Sequence, residues 1–157
     1  MSELQYCEPG FVLCNSKRIV LAVDGSEGAA RAASVAFELA ILTKSELIIV
    51  HVVPTPLISQ ISLMSSSNPR ELLQHYMENG QRLLNGYLLA ARERGIPAEA
   101  VLEKGNPSDR LVRLAHDREA DLIVIGYSAS VRGRRTSIGS VAERVVMSST
   151  CTVIVAK

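Results

Sequence analysis

The sequence predicts an α/β fold in which helices cover both faces of a parallel sheet, giving three α/β/α layers. Five short apolar runs are separated by longer segments whose apolar residues recur at helical spacing. The first and the fourth of these runs end at polar, glycine-bearing turns, which are typical of strand-to-helix junctions. The length of 157 residues and the hydrophobic fraction of 47% suit one domain with a sizeable core.

The chain begins with an N-terminal extension, residues 1–16, ahead of one domain at 17–157. The run KRIVLAV at 17–23 has the composition of a strand buried on both faces. It ends at Asp24-Gly25-Ser26, which offers a candidate cap for an alanine-rich helix. The next apolar run, ELIIVHVV, is a second strand that two prolines end.

The middle of the chain predicts one long helix and a weaker strand. Residues 57–68 mix polar and apolar side chains, and they are either a mobile loop over the end of the sheet or partly helical. Pro69 fits the first turn of a helix that Asn68 caps and that continues to Gly95. The alternation at 98–102 indicates a strand at the edge of the sheet.

The last third of the chain supplies two helices and two strands. A helix is predicted at 107–118, and the continuous apolar run at 122–125 is a strand that stops at Gly126. Gly139 opens an amphipathic segment, and a last strand follows at 151–156.

The loop between Gly126 and Gly139 has the physical features of an anion site. Free N–H groups and the positive end of the following helix would point at a ligand, and glycines let the main chain approach it. The arginines of this loop, Arg132 among them, are either solvated or in contact with a phosphate. Ligands in such sheets bind beyond the carboxyl ends of strands, so Asp24 and Gly126 would meet in one crevice if their strands are neighbours.

Composition argues against several other classes of protein. The net charge of +1, the absence of tryptophan and the aromatic fraction of 4% give no case for nucleic acid. Three scattered cysteines fit a reducing compartment better than a disulfide framework. No apolar run approaches the roughly 20 residues of a membrane span, and no signal peptide is visible. These observations predict a cytoplasmic protein.

Four features together resemble the universal stress protein family over nearly all of residues 17–157. They are the opening RIVLAVDGSEGA, the strand IIVHV, the strand DLIVIG, and the spacing of the glycines that follow. The nucleotide-binding branch of that family has three spaced glycines and then Ser or Thr. The matching positions here are Gly126, Ala129, Gly139 and Ser140, so alanine stands where the second glycine is expected.

The resemblance implies a Rossmann-like fold whose strand order is 3-2-1-4-5. It also implies that the protein binds ATP, with a Mg²⁺ or Mn²⁺ ion held mainly by the phosphates. It further implies a homodimer in which the last strands, from Thr152 to Val155, pair antiparallel. Such pairing would cover an exposed sheet edge.

The resemblance also implies a set of nucleotide-binding residues. Asp24 would contact the ribose, the main chain of Val52 would bind the adenine, and backbone N–H groups would hold the phosphates. Ala129 keeps such a donor, although a positive φ there would cost roughly 1–2 kcal/mol. The full set is Ala22, Val23, Asp24, Val52, Ile125, Gly126, Ala129, Arg132, Gly139, Ser140, Val141 and Ala142.

Other interpretations stay open. Asp24 alone could be a helix cap, and His51 in its apolar strand is more typical of a core histidine than of a catalytic base. No residue is clearly placed to activate a water at a γ-phosphate, so we expect no catalytic residue and at most a slow ATPase. The turn VDGSEGA matches neither an adenylyl-transfer signature nor a Walker A loop. The resemblance therefore implies a dimeric regulatory protein of the stress response that senses ATP or another adenine nucleotide. The alternatives are a dimeric interaction module without nucleotide and a protein that binds AMP or cyclic AMP.

Overall fold

The computed structural model describes residues 13–127 and 138–157. Strands and helices alternate along these residues. In chain order they are β1 (Arg18–Ala22), α1 (Glu27–Thr43), β2 (Glu46–Val53), α2 (Thr55–Ser65), α3 (Pro69–Glu93), β3 (Ala98–Lys104), α4 (Pro107–Asp117), β4 (Leu122–Gly126), α5 (Ser140–Ser148) and β5 (Thr152–Ala156).

The five strands form one parallel sheet in the order β3-β2-β1-β4-β5. The predicted fold class and strand order are confirmed, and so is the edge position of β3. The central strands β1 and β4 are buried along almost their whole length, because helices cover both of their faces. From β1 the chain builds the sheet outwards in one direction through β2 and β3, and it then returns to add β4 and β5 on the other side of β1. The point where this direction changes lies between the carboxyl ends of β1 and β4, which pair directly.

The sheet separates two apolar cores. On one face, α1 and α3 pack against alternate strand residues such as Leu21, Ile49 and Val124. On the other face, α4 and α5 pack against the intervening residues, such as Val50 and Ile123. Buried alanines line the inner side of α1, and these short side chains let that helix lie close to the sheet.

The segment whose conformation the sequence left open is largely helical. It forms α2, which packs on α3 and is followed by a C-cap residue, Ser66, with a left-handed φ of 55°. The predicted cap of α3 is confirmed, because Oδ1 of Asn68 accepts a hydrogen bond from the N–H of Arg70 at 2.9 Å.

Within residues 13–127 and 138–157, no helix combines the length and apolar character that crossing a membrane requires.

Contacts with the domain begin just before the predicted boundary at residue 17. Ser16 is buried, and its carbonyl accepts a hydrogen bond from the hydroxyl of Ser45 at 2.8 Å. Residues 1–12 of the predicted extension lie outside the described part of the chain.

Candidate functional site

A cleft of about 560 Å³ opens beyond the carboxyl ends of β1, β2 and β4. Every predicted site residue that the structure describes lines this cleft. Those residues are Ala22, Val23, Asp24, Val52, Ile125, Gly126, Gly139, Ser140, Val141 and Ala142. Asp24 and Gly126 meet in it because their strands are neighbours. Ala129 and Arg132, which the sequence also predicts here, lie outside the described residues.

The turn from β1 into α1 is held by its own side chains. Oδ1 of Asp24 accepts hydrogen bonds from the N–H of Ser26 at 3.0 Å and from its hydroxyl at 2.5 Å. The Ser26 oxygen in turn accepts from the N–H of Ala29 at 3.1 Å, so Ser26 is the N-cap of α1. Asp24 therefore orients the cap rather than acting as the cap itself. Its other oxygen, Oδ2, has no hydrogen-bond partner among residues 13–127 and 138–157.

Gly126 is needed where β4 meets the first turn of α1. A Cβ atom at this position would lie 2.5 Å from the carbonyl carbon of Gly28 and 2.6 Å from its oxygen. Both atoms belong to the helix backbone, so a side chain would push α1 away from the sheet. The absence of a side chain at Gly126 thus keeps the start of α1 close to the end of β4.

The start of α5 differs because no side chain caps it. Gly139 is the N-cap, with extended backbone angles (φ −66°, ψ 152°), and its carbonyl accepts the first intrahelical bond, from Glu143. In the described part of the chain, the N–H groups of Ser140, Val141 and Ala142 have no partner. They form the positive end of the helix and border the cleft.

Gly139 itself is not a free donor. Its N–H donates to the carbonyl of Tyr127 at 2.7 Å, and the N–H of Tyr127 donates to the carbonyl of Ala156 at 2.7 Å. These two bonds fix the backbone on either side of the predicted phosphate loop. The donors available to a ligand at this helix are therefore those of the three residues that follow Gly139.

One wall of the cleft was not predicted. It is formed by His51 on β2, by Pro54 after it, and by part of α3, which contributes Tyr76, Asn79, Gly80 and Leu83. Nδ1 of His51 lies 2.8 Å from the carbonyl oxygen of Val23. The interpretation of His51 as a hydrogen-bonded histidine of the apolar strand agrees with this contact. The one sequence signal for the position of His51 in this wall is Gly80, because a glycine in the middle of a long helical pattern indicates a close approach to another element.

The charge of Asp24 also reaches α3. Burial raises the pKa of Tyr87 above its ordinary value of 10.0, and the negative charge of Asp24 raises it further.

Within the described residues, Asp24 is the single carboxylate that lines the cleft, and no group of three His, Cys, Asp or Glu residues could hold a metal ion.

A family model and the relatives of known name both match this chain to one family. The family model described as the universal stress protein family matches residues 15–157. A universal stress protein of Methanocaldococcus jannaschii is 32% identical over 142 residues, which cover 90% of this chain and 82% of that protein.

Solved structures of universal stress proteins have the same fold as this chain. The universal stress protein from Archaeoglobus fulgidus in complex with dAMP superposes with a TM-score of 0.64 at 26% identity, covering 91% of this chain and 99% of the other. A universal stress protein in complex with cAMP also gives a TM-score of 0.64 at 26% identity, covering 90% of this chain and 97% of the other.

Proposed function

The chain belongs to the universal stress protein family, and from that premise we propose that it is a regulatory protein that binds an adenine nucleotide in the cleft between β1 and β4. The observation that carries this proposal is the uncapped start of α5, which offers three backbone donors to the cleft. Such an end attracts a phosphate group. The complexes of related proteins with dAMP and cAMP support an adenine nucleotide as the ligand.

The lining residues suit the other parts of such a ligand. Apolar side chains from Val52 and Ile125 would pack beside the base, and the main chain of Val52 would bind its polar edge. Oδ2 of Asp24 is the acceptor that ribose hydroxyl groups require. Each part of an adenine nucleotide thus finds matching chemistry in one cleft.

The described residues supply donors for about one phosphate group, because three N–H groups follow Gly139. For ATP, contacts to the further phosphates would fall to Ala129 and Arg132, outside the described residues. A Mg²⁺ or Mn²⁺ ion would be held mainly by phosphate oxygens, since Asp24 is the single carboxylate of the described lining. Binding without rapid hydrolysis is the activity we propose, in a protein for which the cytoplasm stays the predicted compartment.

We also propose a homodimer through β5. Within the described residues β5 pairs only with β4, so its other edge faces away from the sheet. Val153, Ile154 and Val155 are only partly buried there. A second copy pairing along this edge would satisfy its backbone groups. Sedimentation velocity should give a mass twice that of the 17.0 kDa chain, and a concentration-independent monomer would contradict the dimer.

Calorimetric titration with AMP, cyclic AMP and ATP tests nucleotide binding, with GMP as the control for the base. Ser140 occupies the first helical position, and the extended angles of Gly139 suit a residue that precedes proline. Ser140→Pro therefore removes one N–H donor without breaking the helix, whereas Ser140→Ala removes only the hydroxyl. We expect Ser140→Pro to weaken AMP binding at least about tenfold more than Ser140→Ala does.

The result that would overturn the proposal is the absence of binding heat with all three adenine nucleotides, together with no nucleotide released on denaturation of the purified protein. In that case a dimeric interaction module without nucleotide would be the better account.

A further inference from the structure

His51 connects three elements at the edge of the cleft. It lies on β2, its Nδ1 is 2.8 Å from the carbonyl oxygen of Val23 at the end of β1, and its ring contacts α3 at Gly80. Val23 directly precedes Asp24, the carboxylate of the cleft. These contacts place His51 where it can act on Asp24 through the backbone.

The contact with Val23 fixes the chemistry of the ring. A carbonyl oxygen only accepts hydrogen bonds, so Nδ1 of His51 must carry a proton and donate it. In the neutral imidazole, the proton is then absent from Nε2. The structure thus assigns one tautomer to His51, a property that can be measured independently of any ligand.

Packing against α3 fixes the position of the ring. A Cβ atom at Gly80 would lie 2.6 Å from Cδ2 of His51 and 3.0 Å from Cδ1 of Leu102. The helix can approach β2 at this point only because residue 80 has no side chain. The ring is therefore held between α3 and the Val23 carbonyl.

The Val23 carbonyl belongs to the planar peptide that joins Val23 to Asp24. Holding its oxygen also sets the position of the Asp24 nitrogen and Cα. The N–H of Val23 donates to the carbonyl of Val50 at 2.9 Å, so the residue is held on both sides. Ser26 holds the Asp24 side chain from the other direction.

We propose that His51 is a positioning residue for the ribose-binding carboxylate, because it holds the Val23–Asp24 peptide that aims Asp24 into the cleft. This inference rests on the proposed function, since it requires a ligand with hydroxyl groups facing Asp24. Loss of the His51 donor should therefore reduce recognition of the ribose hydroxyl groups more than recognition of the rest of the nucleotide.

The measurement is the ratio of the dissociation constants of 2′,3′-dideoxy-AMP and AMP. Wild-type protein should prefer AMP about tenfold or more, because a hydrogen bond to a charged group is lost with the hydroxyls. The Asp24→Ala variant sets the ratio expected without that contact, near one. His51→Phe, which keeps a ring but no donor, should bring the ratio most of the way to one. His51→Asn should restore much of the preference, because its amide nitrogen can donate from about the position of Nδ1.

Two glycines on α3 give a matched control. Gly80→Ala pushes on the His51 ring and should lower the ratio as His51→Phe does. A Cβ atom at Gly86 would have nothing within 4 Å, so Gly86→Ala should leave the ratio unchanged. Nitrogen NMR of labelled protein should show the His51 proton on Nδ1 in the wild-type protein without ligand.

The possible failures are distinguishable. If wild-type protein binds none of AMP, cyclic AMP and ATP and releases no nucleotide on denaturation, the proposed function fails and this inference with it. If wild-type protein binds AMP with a clear preference and His51→Phe keeps that preference, even with both affinities reduced, the role of His51 is only structural and this inference alone is wrong. A proton found on Nε2 rather than Nδ1 would overturn it as well.

Discussion

Two helices on opposite faces of the sheet begin at the same cleft, and their N-termini are completed in different ways. α1 follows β1, and α5 follows the loop after the neighbouring strand β4. At α1, Ser26 caps the N–H of Ala29, and Asp24 holds the cap. At α5, Gly139 provides the backbone turn of a cap without a side-chain oxygen.

The difference indicates which helix end is available to a ligand. A side-chain cap typically stabilises a helix by about 0.5–2 kcal/mol, which α5 forgoes. Because α5 has no such cap, the backbone N–H groups of Ser140, Val141 and Ala142 have no partner within the described residues, and these three residues line the cleft. The negative charge of Asp24 near the start of α1 further disfavours an anion there. We therefore infer that α5 binds the phosphate, while the α1 turn contributes the carboxylate.

Giving α5 a side-chain cap, as α1 has, should reduce AMP affinity more than the other substitutions do. Gly139 has the extended angles of an N-cap, so Gly139→Asp would place an acceptor and a negative charge over the free donors. We expect AMP affinity to fall by about 100-fold or more, because the phosphate loses donors and meets a like charge. Thermal stability should be maintained or should rise. Calorimetry and thermal unfolding measure the two effects.

Gly139→Asn is the matched control, because asparagine also caps helices but carries no charge. It should reduce affinity less than aspartate does. If Gly139→Asp bound AMP as tightly as the wild-type protein, α5 would not be the phosphate site.

A side chain at Gly126 should push the start of α1 away from β4 and destabilise the fold. The new Cβ of Gly126→Ala would meet the Gly28 backbone at 2.5 Å. We expect a loss of about 1–3 kcal/mol in the free energy of unfolding, as for other overpacked sites. Gly86→Ala is the control on an open helix face, and it should be neutral or stabilising. Urea denaturation of both variants tests this, and equal stabilities would show that the close approach of α1 is unimportant.

Removing the α1 cap should mainly affect stability. Ser26→Ala deletes the acceptor for the N–H of Ala29, and we expect a loss of about 1 kcal/mol. AMP affinity should change only about two- to threefold, since α1 supplies no donor to the phosphate and the N–H of Ser26 still holds Oδ1 of Asp24. Ser34→Ala, on the exposed side of the same helix, should stay within about 0.5 kcal/mol of wild type. An affinity loss as large as that of Gly139→Asp would remove the distinction between the two helix ends.

The sequence predicted the fold class and the turns at Asp24 and Gly139 for a clear physical reason, whereas the strand order came from the family resemblance. Buried strands, helical periods and the turns at Asp24 and Gly139 are local patterns, and the rules for parallel sheets bring the ends of neighbouring strands together. The wall formed by His51 and α3 was not predicted. It depends on contacts between residues far apart in the chain, such as Gly80 against His51, which carry no local pattern.

The smallest expected effect concerns the pKa of Tyr87 on α3, which the charge of Asp24 raises. Burial and the carboxylate both raise the pKa of Tyr87, so its contribution to stability is complete below pH 10.0 and is lost as the pH rises further. In Asp24→Asn the pKa should fall towards 10.0 but stay above it, because the burial remains. Glu27→Gln, on the first turn of α1, is the control and should leave the pKa of Tyr87 unchanged. Alkaline absorbance titration, with Tyr87→Phe subtracted to isolate this residue, measures the shift. An identical titration in Asp24→Asn would mean that the carboxylate charge does not reach α3, and that its field acts only within the α1 turn.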